Sequence, residues 1–141
     1  MKILILNGPN LSRLDLREQK YYGEMDYAQL QAAIKHKAQE LKIDVEIKQS
    51  DSESELISWL HDAADKKLPV IFNPAAFTHY SIAIRDAAAL LSGGLIEVHL
   101  SNPLAREEFR HTSFISGLAQ GTISGFGAQS YVLALQAIAT S

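Results

Sequence analysis

Cysteine is missing from this chain, which excludes disulfides, thiol nucleophiles and thiolate metal sites and leaves the redox compartment open. Long hydrophobic runs are missing too: no stretch approaches the roughly 18 apolar residues of a membrane span. The opening run Ile3-Leu4-Ile5-Leu6 is too short for a secretory signal and ends at Asn7-Gly8-Pro9 without a small-residue cleavage site. The expectation is a cytoplasmic protein with no membrane partner. Excess charge of either sign is also lacking. Thirteen Lys and Arg against sixteen Asp and Glu give −3, and no basic cluster of the kind that nucleic acid requires is present. An anionic small molecule would have to be met by locally placed arginines.

Several chemical signatures are absent. There is no phosphate-cradling GxxxxGK[ST] and no GxSxG nucleophile elbow. Gly121, Gly125 and Gly127 flank the last expected strand rather than following the first, with the wrong spacing for a dinucleotide fingerprint. His79 and His99 lack a third ligand at metal-site spacing, so no metal is expected. His36 and His61 lie among polar residues of expected helices and read as solvated. None of the eight lysines ends an apolar strand, where desolvation would favour Schiff-base chemistry. What remains is cofactor-free acid–base chemistry or plain binding.

What is present is an ordinary globular composition, 47% hydrophobic and 21% charged over 141 residues, expected to form one domain over 1–141. Ile3 to Leu6 reads as a parallel strand covered on both faces. Leu30, Ile34, Ala38 and Leu41 recur at helical spacing over 27–41, with Asp26 as the cap. Val45-Glu46-Ile47 suggests a second strand near an edge. Ser52 and Glu55 have capping-box spacing ahead of a helix burying Leu56, Trp59, Leu60, Ala63 and Ala64. Val70-Ile71-Phe72 gives a third strand. A helix through Ile84, Ala87, Ala88 and Leu91 is expected to close at Gly93-Gly94. Residues 95–100 give a fourth strand, 106–111 an irregular charged stretch with one helical turn, 122–124 a fifth strand, and 131–139 a last apolar helix. Strands alternating with helices imply βαβ units: an α/β fold with a five-stranded parallel sheet of order 2-1-3-4-5.

In such a sheet, ligands bind beyond the carboxyl ends of the strands where the order reverses, here between strands 1 and 3. Asn7-Gly8-Pro9-Asn10 ends strand 1, Asn73 ends strand 3, and His99-Leu100-Ser101-Asn102 ends strand 4. Each position alone has a structural reading: Asn and Pro form turns, and His99 equally suits a satisfied core histidine. Their convergence on one edge favours function. The seventeen residues from Asn7 to Gly23 exceed what a strand-to-helix turn needs. They read as a lid over residues 11–23 without secondary structure of its own, carrying Arg13, Arg17, Tyr21 and Tyr22.

The blocks NGPNL at 7–11, RE at 17–18, YYG at 21–23, QSDSE at 49–53, FTHYSIAIRDA at 77–87, IEVHLSN at 96–102 and AREEFRHTSFIS at 105–116 resemble type II 3-dehydroquinate dehydratase. The resemblance implies a flavodoxin-like three-layer fold. It also implies loss of water from 3-dehydroquinate to 3-dehydroshikimate through an enolate, without cofactor or metal, in the shikimate pathway toward chorismate and the aromatic amino acids. Carried onto this sequence, Tyr22 is the proton acceptor, Arg17 the transition-state stabiliser, His99 the proton donor oriented by Glu97, and Asn10 the holder of a water at the enolate oxygen. Asn73, His79, Leu100, Ser101 and Arg110 hold the substrate, and Asp86 reaches a neighbouring subunit's site in a dodecamer built from trimers. Tyrosine, with an ordinary pKa of about 10, is a poor base unless cations favour its phenolate. Asp15 and Gln19 stand where the family usually has Gly and Pro, Ala75 where it has Gly, and Pro103-Leu104 are unusual after Ser101-Asn102. The competing expectation is a non-enzymatic flavodoxin-like module, either a flavin carrier or a phospho-receiver. A receiver needs clustered carboxylates at the end of strand 1, where this chain has Asn7 and Asn10.

Overall fold

A computed structural model describes residues 1–140. Strand β1 (Lys2–Asn7) is an inner strand of a parallel sheet, flanked by β2 (Asp44–Gln49) at the edge and by the central β3 (Val70–Asn73), with β4 (Leu95–His99) and β5 (Gly121–Ser124) beyond. The order is β2-β1-β3-β4-β5, as the strand and helix alternation predicts. In β1 the period-2 alternation sends Ile3 and Ile5 into one core and Leu4 and Leu6 into the other. Helices α2 (Tyr27–Leu41) and α5 (Gln129–Ala139) cover the first face, through Leu30, Ile34, Tyr131 and Leu135. Helices α3 (Glu53–Lys66) and α4 (Ile82–Ala88) cover the second, through Leu56, Leu60 and Ile84. Each such side chain contributes roughly 1.5–3 kcal/mol of hydrophobic stabilisation. Among the described residues no helix is long and apolar enough to cross a membrane.

Local chemistry sets the helix ends, and here the structure departs from the sequence reading. At α2 the capping box is complete: the Asp26 side chain accepts from Gln29 N–H while the Gln29 side chain accepts from Asp26 N–H. At α3 only half forms. Ser52 Oγ accepts from Glu55 N–H, but Ser52's own N–H goes to Ser50 Oγ, so Glu55 has nothing to reach back for. Helix α4 stops at Ala88 with Ala89 still right-handed, well short of Gly93-Gly94. Gly94 takes positive φ later, in the connection to β4. The left-handed stops fall instead on Lys42 and Lys67, at the ends of α2 and α3.

The expected structureless lid is also corrected. Residues Leu11–Leu16 wind into 3₁₀ turns, and Gln19–Tyr22 form a short helix, α1. Leu11, Leu14 and Tyr22 are buried in the α2/α5 core, and this anchorage orders a segment whose charges and short apolar spacing carry no helical period.

Candidate active site

The carboxyl ends of β1, β3 and β4 form the floor of a pocket at the point where the strand order reverses. Close approach there depends on Gly8. Its N–H donates to the Asn73 carbonyl at 2.8 Å, and a Cβ on it would meet the Pro74 carbonyl oxygen at 2.6 Å. Asn10 follows in the left-handed region at φ 71°. Its N–H donates to Asp51 Oδ1 at 2.9 Å, and Gln49 donates to both Asp51 and the Gly8 carbonyl, so the end of β2 braces the loop.

Beneath the floor a buried polar relay ties three elements together. Tyr131 of α5 donates its hydroxyl to Asn7 Oδ1 at 2.5 Å and accepts from Asn73 Nδ2 at 2.9 Å. Asn73 Oδ1 accepts from Ala75 N–H at 3.0 Å. Both asparagine side chains are thereby fixed, and complete burial pushes the Tyr131 hydroxyl's pKa upward. Ala75 holds φ +53°, a left-handed conformation that glycine adopts without strain, and it lines the pocket.

The lid supplies the roof. Arg17 donates to the Tyr22 hydroxyl and lies over the Tyr22 ring, its guanidinium carbon 4.0 Å from the centroid. A second guanidinium, unmarked in the sequence reading, meets the same oxygen: Arg106 Nη1 donates to Tyr22 Oη at 2.6 Å and to Ser101 Oγ at 3.2 Å, and Arg106 lies over the Tyr21 ring at 4.4 Å. Arg106 is almost wholly buried, and its Nε is the one buried side-chain polar atom without a hydrogen-bond partner among the described residues. Two cations thus converge on one phenol oxygen, in a site where water's screening is reduced.

Across the pocket, His99 Nε2 lies 2.6 Å from Glu97 Oε2. Glu97 is 1% exposed. Burial is the largest influence on its carboxyl and works upward. The His99 hydrogen bond and charge, with the Ser116 and Thr78 hydroxyls, outweigh it and hold the group at about 2. His79 Nδ1 faces the Thr112 carbonyl at 2.8 Å, a geometry that suits Nδ1–H as donor. Burial lowers the pKa of His79, keeping it neutral near pH 7. Arg110 lines the pocket mouth and pairs with Glu107 at 3.0 Å.

A base candidate under two cations faces an acid candidate backed by a buried carboxylate, at the switch point of a 2-1-3-4-5 sheet. The family model described as "Dehydroquinase class II" matches residues 1–139. The chain belongs to this family. It is 59% identical over 136 residues to a 3-dehydroquinate dehydratase of Mycobacteroides abscessus, spanning 96% of this chain and 94% of that protein. The crystal structure of the type II dehydroquinase from Propionibacterium acnes superposes with a TM-score of 0.96 at 50% identity, covering 99% and 97% of the two chains. The enzyme from Butyrivibrio crossotus gives 0.95 at 41% identity, covering 100% and 98%.

Of the residues singled out from the sequence, Asn10, Arg17, Tyr22, Asn73, His79, His99, Leu100, Ser101 and Arg110 all line this one pocket. Glu97 sits behind His99. Asp86 does not join them: it is exposed on α4 and pairs with Arg85 at 3.0 Å. Arg106, Tyr131 and the hydroxyls of Thr78, Ser113 and Ser116 are the additions. Arg106 was legible only as one charge in an irregular stretch, and Tyr131 only as part of an apolar helix.

Proposed function

We propose that this chain is a 3-dehydroquinate dehydratase, eliminating water from 3-dehydroquinate to give 3-dehydroshikimate through an enolate. The observation that carries the proposal is the Tyr22 hydroxyl held by Arg17 and Arg106 in the same pocket as His99. The proton beside a ketone is weakly acidic, so a base must be made anionic and donors for the enolate must already be in place. Tyr22, as phenolate, takes that proton. Arg17 and Arg106 balance its charge before transfer and the developing enolate afterwards. Asn10 holds a water against the enolate oxygen. His99 then protonates the departing hydroxyl as general acid, while Glu97 fixes the ring. Asn73 has a second Nδ2–H to offer a ring hydroxyl. His79 offers its Nε2, Ser101 its hydroxyl, Leu100 its backbone, and Arg110 a two-pronged contact to the substrate carboxylate. No step uses a metal or an organic cofactor.

The proposal extends to assembly. Asp86, outside its own pocket, acts on the site of a neighbouring copy in a trimer, and trimers build a dodecamer of cytoplasmic protein. Sedimentation velocity reads this directly. A monomer with full activity refutes the role of Asp86.

The deciding experiment follows the near-ultraviolet absorbance of the conjugated product while 3-dehydroquinate is incubated with chelator-treated protein. A steady rise supports the proposal, and a flat trace at micromolar enzyme refutes it.

A further inference from the structure

The Glu97 carboxylate is buried beside His99, and its surroundings contain more donors than an imidazole alone. Thr78 Oγ1 donates to Oε2 at 2.5 Å, and Ser116 Oγ to Oε1 at 2.6 Å. Ser113 Oγ stands 2.9 and 3.1 Å from Oε1 and Oε2. Ser113 Oγ also accepts the N–H groups of Ile115 and Ser116, at 3.1 and 3.0 Å, so its lone pairs are occupied and its own proton is shared between Glu97 and Thr78 Oγ1, 2.8 Å away. The Phe114 N–H donates to the Thr78 carbonyl at 2.8 Å, which joins the two segments that carry the hydroxyls. The ionisable groups facing this carboxylate are His99 on its own strand, His79 from the turn after β3, and Arg110 and His111 from the segment between β4 and β5. Strand β5 contributes only Thr122 and Ser124 to this side.

We propose that Thr78, Ser113 and Ser116 are positioning residues for the elimination: their three hydroxyls keep the buried Glu97 anionic and aimed at His99. The proposal rests on His99 being the acid of the reaction above. A carboxylate with three hydroxyl donors keeps its charge in a site where burial alone would neutralise it. The donors also divide its oxygens. Oε1 is held by Ser113 and Ser116 and Oε2 by Thr78, so the carboxylate cannot rotate its Oε2 away from His99 Nε2 without breaking the set. The low carboxyl pKa agrees in direction, since the Ser116 and Thr78 hydroxyls are among its lowering influences.

The consequence is a shift on the acid side. With the hydroxyls present, Glu97 stays ionised far below neutrality. Without them the upward push of burial is opposed by His99 alone, and the carboxyl takes up its proton at higher pH.

The test compares the parent with Ser116→Ala and Ser113→Ala/Ser116→Ala, using ¹³C NMR of carboxyl-labelled glutamate and the pH profile of kcat. In Ser116→Ala the Glu97 carboxyl is expected to titrate at least one pH unit higher, and the acid limb of kcat to rise with it. KM is expected to change less than twofold, and Ser116→Thr to restore both positions. Ser116 is exposed and its hydroxyl touches only Glu97, so the single variant carries the test even if the double variant does not fold. An unchanged carboxyl titration overturns the proposal. So does a shifted titration with an unmoved kcat profile in an active enzyme. A shifted titration in a parent that shows no dehydration leaves the hydroxyl set standing and refutes the proposed reaction instead.

Discussion

Arg106→Met removes the second cation from Tyr22 while keeping an unbranched side chain to fill the space over Tyr21. The lost contact is a 2.6 Å hydrogen bond from Nη1 to the phenol oxygen. Hydrogen bonds to charged partners contribute about 1.5–3 kcal/mol. At about 1.36 kcal/mol per tenfold in rate, kcat should fall roughly 10- to 150-fold. Stability should move the other way or not at all. The Arg106 guanidinium is buried with Nε lacking a hydrogen-bond partner, and its only carboxylate is Glu107 at 3.9 Å. Replacing a buried, poorly paired charge with an apolar side chain is often neutral or stabilising by about 1–4 kcal/mol. Steady-state kinetics and a thermal melt on the same preparation read both quantities. Arg106→Lys should recover only part of the rate: an ammonium can meet Tyr22 and Ser101 from one nitrogen as Nη1 does, but it cannot lie flat over the Tyr21 ring as the guanidinium does. A kcat for Arg106→Met within threefold of the parent would show that Arg17 suffices and that the second cation is merely structural. A melt lowered by several degrees would mean that the arginine's packing outweighs its desolvation cost.

Tyr22→Phe should reduce kcat by about 10²–10⁴-fold, the usual general-base contribution, with unchanged circular dichroism; retention of most activity refutes the base assignment. Ala75→Gly should stabilise the protein by up to about 1 kcal/mol by relieving the φ +53° strain, partly offset by glycine's larger unfolded entropy, and a lowered melting temperature refutes the strain. Glu97 is held at about 2 against an ordinary 4.5. Its depressed value means that its stabilisation is complete above 4.5 and lost as pH falls toward 2. Urea unfolding across that window should show a smaller loss for Glu97→Gln than for the parent, and equal slopes refute the linkage. Asp26→Ala should cost about 1 kcal/mol by opening the capping box of α2, measured by the shift in urea midpoint.

The sheet order was readable because β1, β3 and β4 are short apolar runs that end at polar residues, and burial on both faces leaves that signature. The pocket followed from it, since Asn10, Asn73 and His99 mark strand ends whatever their roles. The nine residues to which the family resemblance gives roles at the pocket line one cavity. The helix ends were less legible. Ser52 and Glu55 have the right spacing for a capping box, but a third serine at position 50 takes the backbone N–H first. Arg106 has no periodic marker in its 3₁₀-rich segment, and only the folded chain brings position 106 to position 22. The lid carries no sequence mark of its 3₁₀ turns, because Leu11 and Leu14 are too closely spaced to suggest a buried face until the core accepts them.

The Tyr131 hydroxyl under the pocket also bears on when a working site exists. Asn7 and Asn73 leave the ribosome long before Tyr131, and the sheet that carries them is largely specified by then. Their side chains nevertheless lack the shared partner that fixes both until α5 has been made and docked. During synthesis the pocket floor is therefore among the last parts to become rigid, although most of its residues come from the first three-quarters of the chain. A nascent chain halted before α5 would hold most of the chemical groups without the geometry to use them.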